Sequence, residues 1–582
     1  MIERFIALAW IFVSISPVLA QSSKPSSSEQ PRPIKIEDRL SDPVYVAWTS
    51  EPSVAQCVRC HLNDKGTEFS RQREMRDWID RDKHAIARQR VEPFSPENQE
   101  TELLDLFTRL NRLALKQAAE EEAKGYTLDR SAIGLREVPA EWIGTSNLLS
   151  RRMCDKLWGE GTVETAAGYQ RFREACLTCH GGVSQEQTAS AESLSDYPIG
   201  IDCLYCHQQG EQDAWQKEHL DEDRWRLSSP RQKESRGMSD MVDTANQAST
   251  CLDCHVGNRD KNMFVTHQMY AAGHPPLPAI EVQTFCDQLP MHWQTPSQLH
   301  DNLQDGKSRD EYFAINYPGV AEGGPQQFSE TYFDTRKLFI GALQARRKSV
   351  KLLVDSAATD DWGDYALYDC AACHHELRSE SARQRRYLTA TRSVVPGRPR
   401  QPEWHAVLTD VAYRLNGKQA YADLGKLESR LRDCFDAKPF GSAAAVRQVG
   451  RELIDAIDET VSDVSRRPFN GTLTVNAIKV LCDTDVSRLL TYDAARQIVW
   501  AMNVMIEEAE REGVVFSEAT RRALSQLNDP AVTGLDVDLP AGRGQFIYPD
   551  YLNDAFERRA AFEPTGLKAV LDDLGRSLEA GK

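Results

Sequence analysis

The chain is 582 residues long and carries 70 Lys and Arg against 87 Asp and Glu, a net charge of −17. Its length allows roughly two to four domains, and its composition excludes a disordered protein. So acidic a surface argues against nucleic acid and for redox partner proteins with a basic docking face, with simple solubility as the plainer alternative.

Residues 1–20 read as a secretory signal: Arg4 near the start, an apolar stretch over 5–15, then Val18-Leu19-Ala20 as a small-residue cleavage site. Gln21 stands where a lipoprotein would need Cys. No later stretch is long and apolar enough to span a bilayer, so the mature chain is expected to be exported, soluble and periplasmic. Residues 21–42, rich in Ser and Pro over their first half, read as a linker.

Five copies of Cys-x-x-Cys-His follow: Cys57, Cys60 and His61; Cys176, Cys179 and His180; Cys203, Cys206 and His207; Cys251, Cys254 and His255; Cys370, Cys373 and His374. In this motif two thiols form thioethers with haem vinyl groups, and the next imidazole reaches the iron as proximal ligand. Zinc knuckles also use Cys-x-x-Cys pairs, but zinc does not require His directly after the second Cys. The expected cofactors are therefore five c-type haems. Attachment takes place outside the cytoplasm, which agrees with the signal.

Between the motifs, Leu103, Phe107, Leu110 and Ala114 recur at helical spacing before Gly125, and Leu149, Met153 and Leu157 mark a second helix. From Gly159 the motifs crowd together with little periodicity, as expected where haems fill the core. Residues 329–354 return to helix through Phe333, Leu338, Phe339, Leu343 and Val350. A basic stretch over 378–400 could neutralise haem propionates, dock an acidic partner or serve as a solvated linker. Beyond Gln401, Val446, Val449, Leu453 and Ile457 form one apolar face, and Tyr492, Ala495, Val499, Met502 and Ile506 another. The predicted fold is mainly α: a multihaem cytochrome core of short helices and long loops packed around haems over 43–400, then a C-terminal helical bundle over 401–582.

Ten of the fourteen cysteines belong to motifs, leaving Cys154, Cys286, Cys434 and Cys482. Their even number suits two disulfides, Cys434 with Cys482 being favoured because both lie in the motif-free region; buried free thiols are the alternative. Eight histidines lie outside the motifs, enough to give every iron a second imidazole. A filled sixth position favours electron transfer over substrate binding. Met153, Met263 and Met269 could also be axial ligands, although Met more often fills gaps in cores.

The segment from Met269 to Leu277, Met-Tyr-Ala-Ala-Gly-His-Pro-Pro-Leu, with His267 before it, resembles the Met-x-x-Ala-Gly-His-Pro stretch of multihaem cytochromes similar to cytochrome c-554, a tetrahaem carrier that accepts electrons from hydroxylamine oxidoreductase. Trp78 followed by His84, Ala85 and Ala87, the Gly200-Ile-Asp-Cys203 approach with Trp215 and His219, and the Cys373-His374-His375 ending resemble the same group. The resemblance covers about residues 43–400. It implies that His274 and His84 are distal ligands, with His267, His219 and His375 next; His375 would have to serve a haem other than that of His374. His292 is a reserve candidate, while His300 and His405 read as structural.

The expected function is a carrier relaying single electrons through five haems. The alternative is a reductase or oxidoreductase acting on a small nitrogen or oxygen species at one five-coordinate haem, as some relatives carry; no Cys-x-x-Cys-Lys motif is present to favour it.

Overall fold

The computed structural model describes residues 57, 61, 74, 77–78, 82–88, 91, 145–182, 200–210, 214–294, 296–303, 306–317, 332–360, 362–374, 398–399, 401–539, 558–559 and 562–580. The signal, the linker, the helix expected near Leu103 to Ala114, Cys60, His375 and nearly all of the basic stretch lie outside them. The described residues are mainly α, as expected, with two isolated β-bridges, Gln208 with Met238 and Asn258 with Met263, and no strand among them.

Around the motifs the helices are short. They include α1 (Thr145–Trp158), α2 (Ala166–Phe172), α3 (Cys203–His207), α4 (Ala214–Glu218), α5 (Thr244–His255), α6 (His267–Ala272) and α7 (Val282–Cys286). Side-chain caps start several of them: Asp202 accepts from Tyr205 N–H, Asp243 from Asn246 N–H and Thr266 from Met269 N–H. Such caps satisfy donors that a short helix cannot bond internally. The hydrocarbon clusters here are small, one built on Cys154, Val163, Phe172 and Leu177 and another on Ala248, Leu252, Val256, Ile280, Val282, Cys286 and Ala345.

A much larger hydrocarbon core begins with α8 (Phe333–Ser356) and continues through α9 (Thr409–Leu415), α10 (Lys418–Asp436), α11 (Ala443–Arg466), α12 (Gly471–Cys482), α13 (Tyr492–Arg511), α14 (Glu518–Leu527) and α15 (Pro564–Ala580). The expected faces are the buried ones: Val446, Leu453 and Ile457 on α11, and Ala495, Val499 and Met502 on α13. Helix α8 packs on both regions. Gly341 brings it against Val282 of α7, and Gly450 of α11 sits against Val354, where an added Cβ would lie 2.4 Å from Val354 Cγ2.

Buried polar contacts fix α8 in place. Glu508 of α13 accepts the Asp334 and Thr335 amides at 2.8 and 2.7 Å, capping the first turn of α8 from a distant part of the chain. Arg346 forms a two-pronged bond with Glu428 of α10 at 2.9 and 2.7 Å. On the other side, Lys348 bonds to Asp253 of α5, inside the fourth Cys-x-x-Cys-His motif. Burial would raise the Asp253 carboxyl, but the Lys348 and Lys261 charges outweigh it and hold it low.

The favoured disulfide between Cys434 and Cys482 is not formed. Cys434 donates to the Arg430 carbonyl within α10, and Cys482 packs against Gly575 of α15, where burial pushes its thiol up to about 12. Cys154 and Cys286 are also buried thiols without a bridge. An even count of cysteines carries no geometry; Cys434 and Cys482 pack as small apolar side chains, whereas Cys251 of the fourth motif and Lys337, against the pull of burial, hold the Cys286 thiol down at about 6.

Because α8 and α11 touch through a hydrogen atom, Gly450→Leu should cost about 1 to 3 kcal/mol of stability by overpacking. Denaturant unfolding of Gly450→Leu, Val354→Ala and the double variant should give a double-variant loss smaller than the sum of the single losses.

Candidate haem-ligand sites

A Cys-x-x-Cys-His sequence in helical conformation puts both cysteines and the histidine on one face, since residues three and four apart are neighbours there. Cys203, Cys206 and His207 occupy α3, and Cys251, Cys254 and His255 form the last turn of α5. The second motif crosses from a π-helical turn, Arg173–Leu177, into the turn Thr178–His180. The fifth begins in the 3-10 turn Cys370–Ala372.

Each motif histidine faces one histidine from another part of the chain. His61 lies 6.3 Å from His219, His180 6.4 Å from His274, His207 6.4 Å from His292, His255 6.4 Å from His84 and His374 6.3 Å from His267, all between ring centroids. The five distances agree within 0.1 Å although the interplanar angles run from 18° to 89°. Ring stacking would constrain the angle too, so a fixed separation with a free angle needs another cause. Two metal–nitrogen bonds of about 2 Å, plus roughly 1 Å from each nitrogen to its ring centre, separate two imidazoles on opposite sides of one ion by about 6 Å. The chain's own residues thus fit a six-coordinate iron at all five motifs.

The outer ring nitrogens hold the rings in orientation. Nδ1 of His219 donates to the Trp215 carbonyl at 3.0 Å, that of His274 to Pro275 at 2.7 Å and that of His292 to Pro290 at 3.3 Å. A carbonyl only accepts, so in each ring Nδ1 carries the proton and Nε2 keeps its lone pair. Nδ1 of His61 meets Glu74 Oε2 at 3.0 Å, and Nδ1 of His84 meets Asp82 Oδ1 at 2.9 Å. Burial, helped by the facing ring, lowers His180, His207 and His255 to about 4, which keeps them neutral and able to ligate. The bond to Glu74 raises His61; at His84 burial pulls down but Asp82 outweighs it.

The motifs also adjoin one another. The Cys57 thiol lies beside that of Cys203, and the Cys179 thiol beside that of Cys254. Tyr205, inside the third motif, reaches across so that its hydroxyl lies 3.7 Å from Cys254 Sγ and 3.4 Å from Met263 Sδ. Met263 is therefore a packing residue between two motifs. Tyr270 stands 5.9 Å from His274, on the same helix α6 as His267, which faces His374.

Of the residues singled out in the sequence, His84, His219, His267 and His274 each face a motif histidine, whereas His375 lies outside the described residues. His292, held in reserve, faces His207. Its company, Met291-His292-Trp293, flagged it, but no spacing tied it to a partner 85 positions earlier in the chain. His405 stacks on Trp404 at 3.8 Å and bonds to the Pro402 carbonyl, and His300 packs on Phe313, both consistent with structural roles. Among the described residues, no group of three or more His, Cys, Asp or Glu converges as a bare metal ion would require.

Gly200 shows how the third motif is seated. A Cβ there would lie 2.1 Å from the His84 carbonyl oxygen, and the neighbouring Ile201 N–H donates to that same oxygen at 2.9 Å. Gly200→Ala should break this bond, speed hydrogen exchange at the Ile201 amide and cost about 1 to 3 kcal/mol.

Residues 202–273 match the family described as Cytochrome c554 and c-prime. No curated protein and no solved structure matches the chain. The matched stretch holds the third and fourth motifs with His219 and His267, and there the chain is similar to haem proteins of electron transfer.

Proposed function

We propose that the protein is an exported electron carrier with five covalently attached c-type haems, each held between two histidines. The ligand pairs would be His61 with His219, His180 with His274, His207 with His292, His255 with His84, and His374 with His267. The observation that carries this reading is the set of five facing rings at 6.3 to 6.4 Å. Bound haem supplies the one-electron chemistry; the chain's residues fix ligation, burial and hydrogen bonding.

Thiol contacts support a continuous relay. Cys57 beside Cys203 brings the first motif to the third, Tyr205 the third to the fourth, Cys179 beside Cys254 the fourth to the second, and α6, with His267 facing His374 and Tyr270 beside His274, the second to the fifth. Among the described residues no helix is long and apolar enough to cross a membrane. Export and a periplasmic location rest on residues 1–20, and redox partners with a basic face on the net charge.

Mass spectrometry of the denatured protein should find five haems retained; apoprotein mass would refute the reading. Low-temperature EPR of the oxidised protein should show low-spin iron throughout. His292→Ala should turn one haem high-spin and open it to carbon monoxide, whereas His375→Ala should leave the spectrum unchanged. Stoichiometric carbon monoxide binding by the unaltered protein at one haem, with turnover of hydroxylamine or nitrite, would instead establish the reductase alternative.

A further inference from the structure

Resting on that reading, we propose that Asp82 and Glu74 are positioning residues that hold the fourth and first haems at lower potential than the second and third. The difference lies in what the outer ring nitrogen meets. At the second haem His274 donates to the Pro275 carbonyl and His180 bonds to the backbone of Ala87; at the third, His292 makes a long 3.3 Å bond to the Pro290 carbonyl. At the fourth, His84 donates to a carboxylate, and at the first so does His61. A carboxylate draws the Nδ1 proton more strongly than an amide carbonyl, so more electron density stays on Nε2. A more basic ligand stabilises ferric over ferrous iron and lowers the potential.

Asp82 is built for this. Its side chain is 5% exposed, and Oδ1 accepts both the ring N–H and the backbone N–H of His84, each at 2.9 Å. The ring is therefore clamped to the negative atom in a setting of low dielectric. Glu74, at 21% exposure, holds His61 less tightly, so its effect is smaller.

Asp82→Asn keeps an acceptor oxygen and removes only the charge. Redox titration followed by optical and EPR spectra should show all haems still low-spin and one shifted positive, with about a tenfold change in its reduced-to-oxidised ratio at fixed applied potential, or 59 mV. Glu74→Gln should shift a different haem in the same direction by less. Five low-spin haems with unmoved potentials in both variants would overturn this inference alone. If Asp82→Asn turned a haem high-spin, Glu74→Gln decides: an unmoved potential there overturns the proposal. Unaltered protein without low-spin haem would overturn the functional reading itself, and this inference with it.

Discussion

With haem bound as proposed, the N-terminal part depends on one separation, that between facing imidazoles. Each pair joins segments far apart in sequence, the widest linking His84 to His255 and His61 to His219. The pairs interleave, so under the proposed ligation each segment would be tied to more than one other. Under the proposed ligation a chain fixed in this way would need little regular structure, and several helices here are only five to seven residues long, Asp202 and Thr266 starting two of them. The hydrocarbon clusters between them are too small to organise the fold alone.

The C-terminal helices are held together differently, by an apolar core with buried ion pairs at its margin. Helix α8 belongs to both regimes. Its Lys348 bonds to Asp253 within a motif, while its Arg346, two residues earlier, bonds to Glu428 of α10. A second bridge runs through aromatic rings: Phe285 lies 6.2 Å from His255 and 5.7 Å from Trp500 of α13. The helical region thus contacts the surroundings of the fourth motif directly.

What the sequence made legible follows from the range of each signal. Local signals were legible: the five Cys-x-x-Cys-His sequences, the helical periodicity of α1, α8, α11 and α13, and the neighbours that set His84, His219, His267 and His274 apart, each of which the fold places opposite a motif histidine. Signals that depend on distant geometry were not. His375 lies outside the described residues, and His292 was held only in reserve because nothing nearby announces a partner as remote as His207. The Cys434 and Cys482 pairing failed for the same reason: sharing a region is not sharing a contact, and the two thiols belong to helices that pack elsewhere. The carboxylates Asp82 and Glu74 are ordinary acidic residues until the fold sets them against a ring.

The cap that Glu508 places on α8 orders events in time. Its partners Asp334 and Thr335 lie 174 and 173 positions earlier, so in synthesis from the N-terminus they are made long before their acceptor. Until α13 is made, the first turn of α8 keeps two open amide donors, so the end of the helix that faces α13 is completed by a carboxylate from late in the chain.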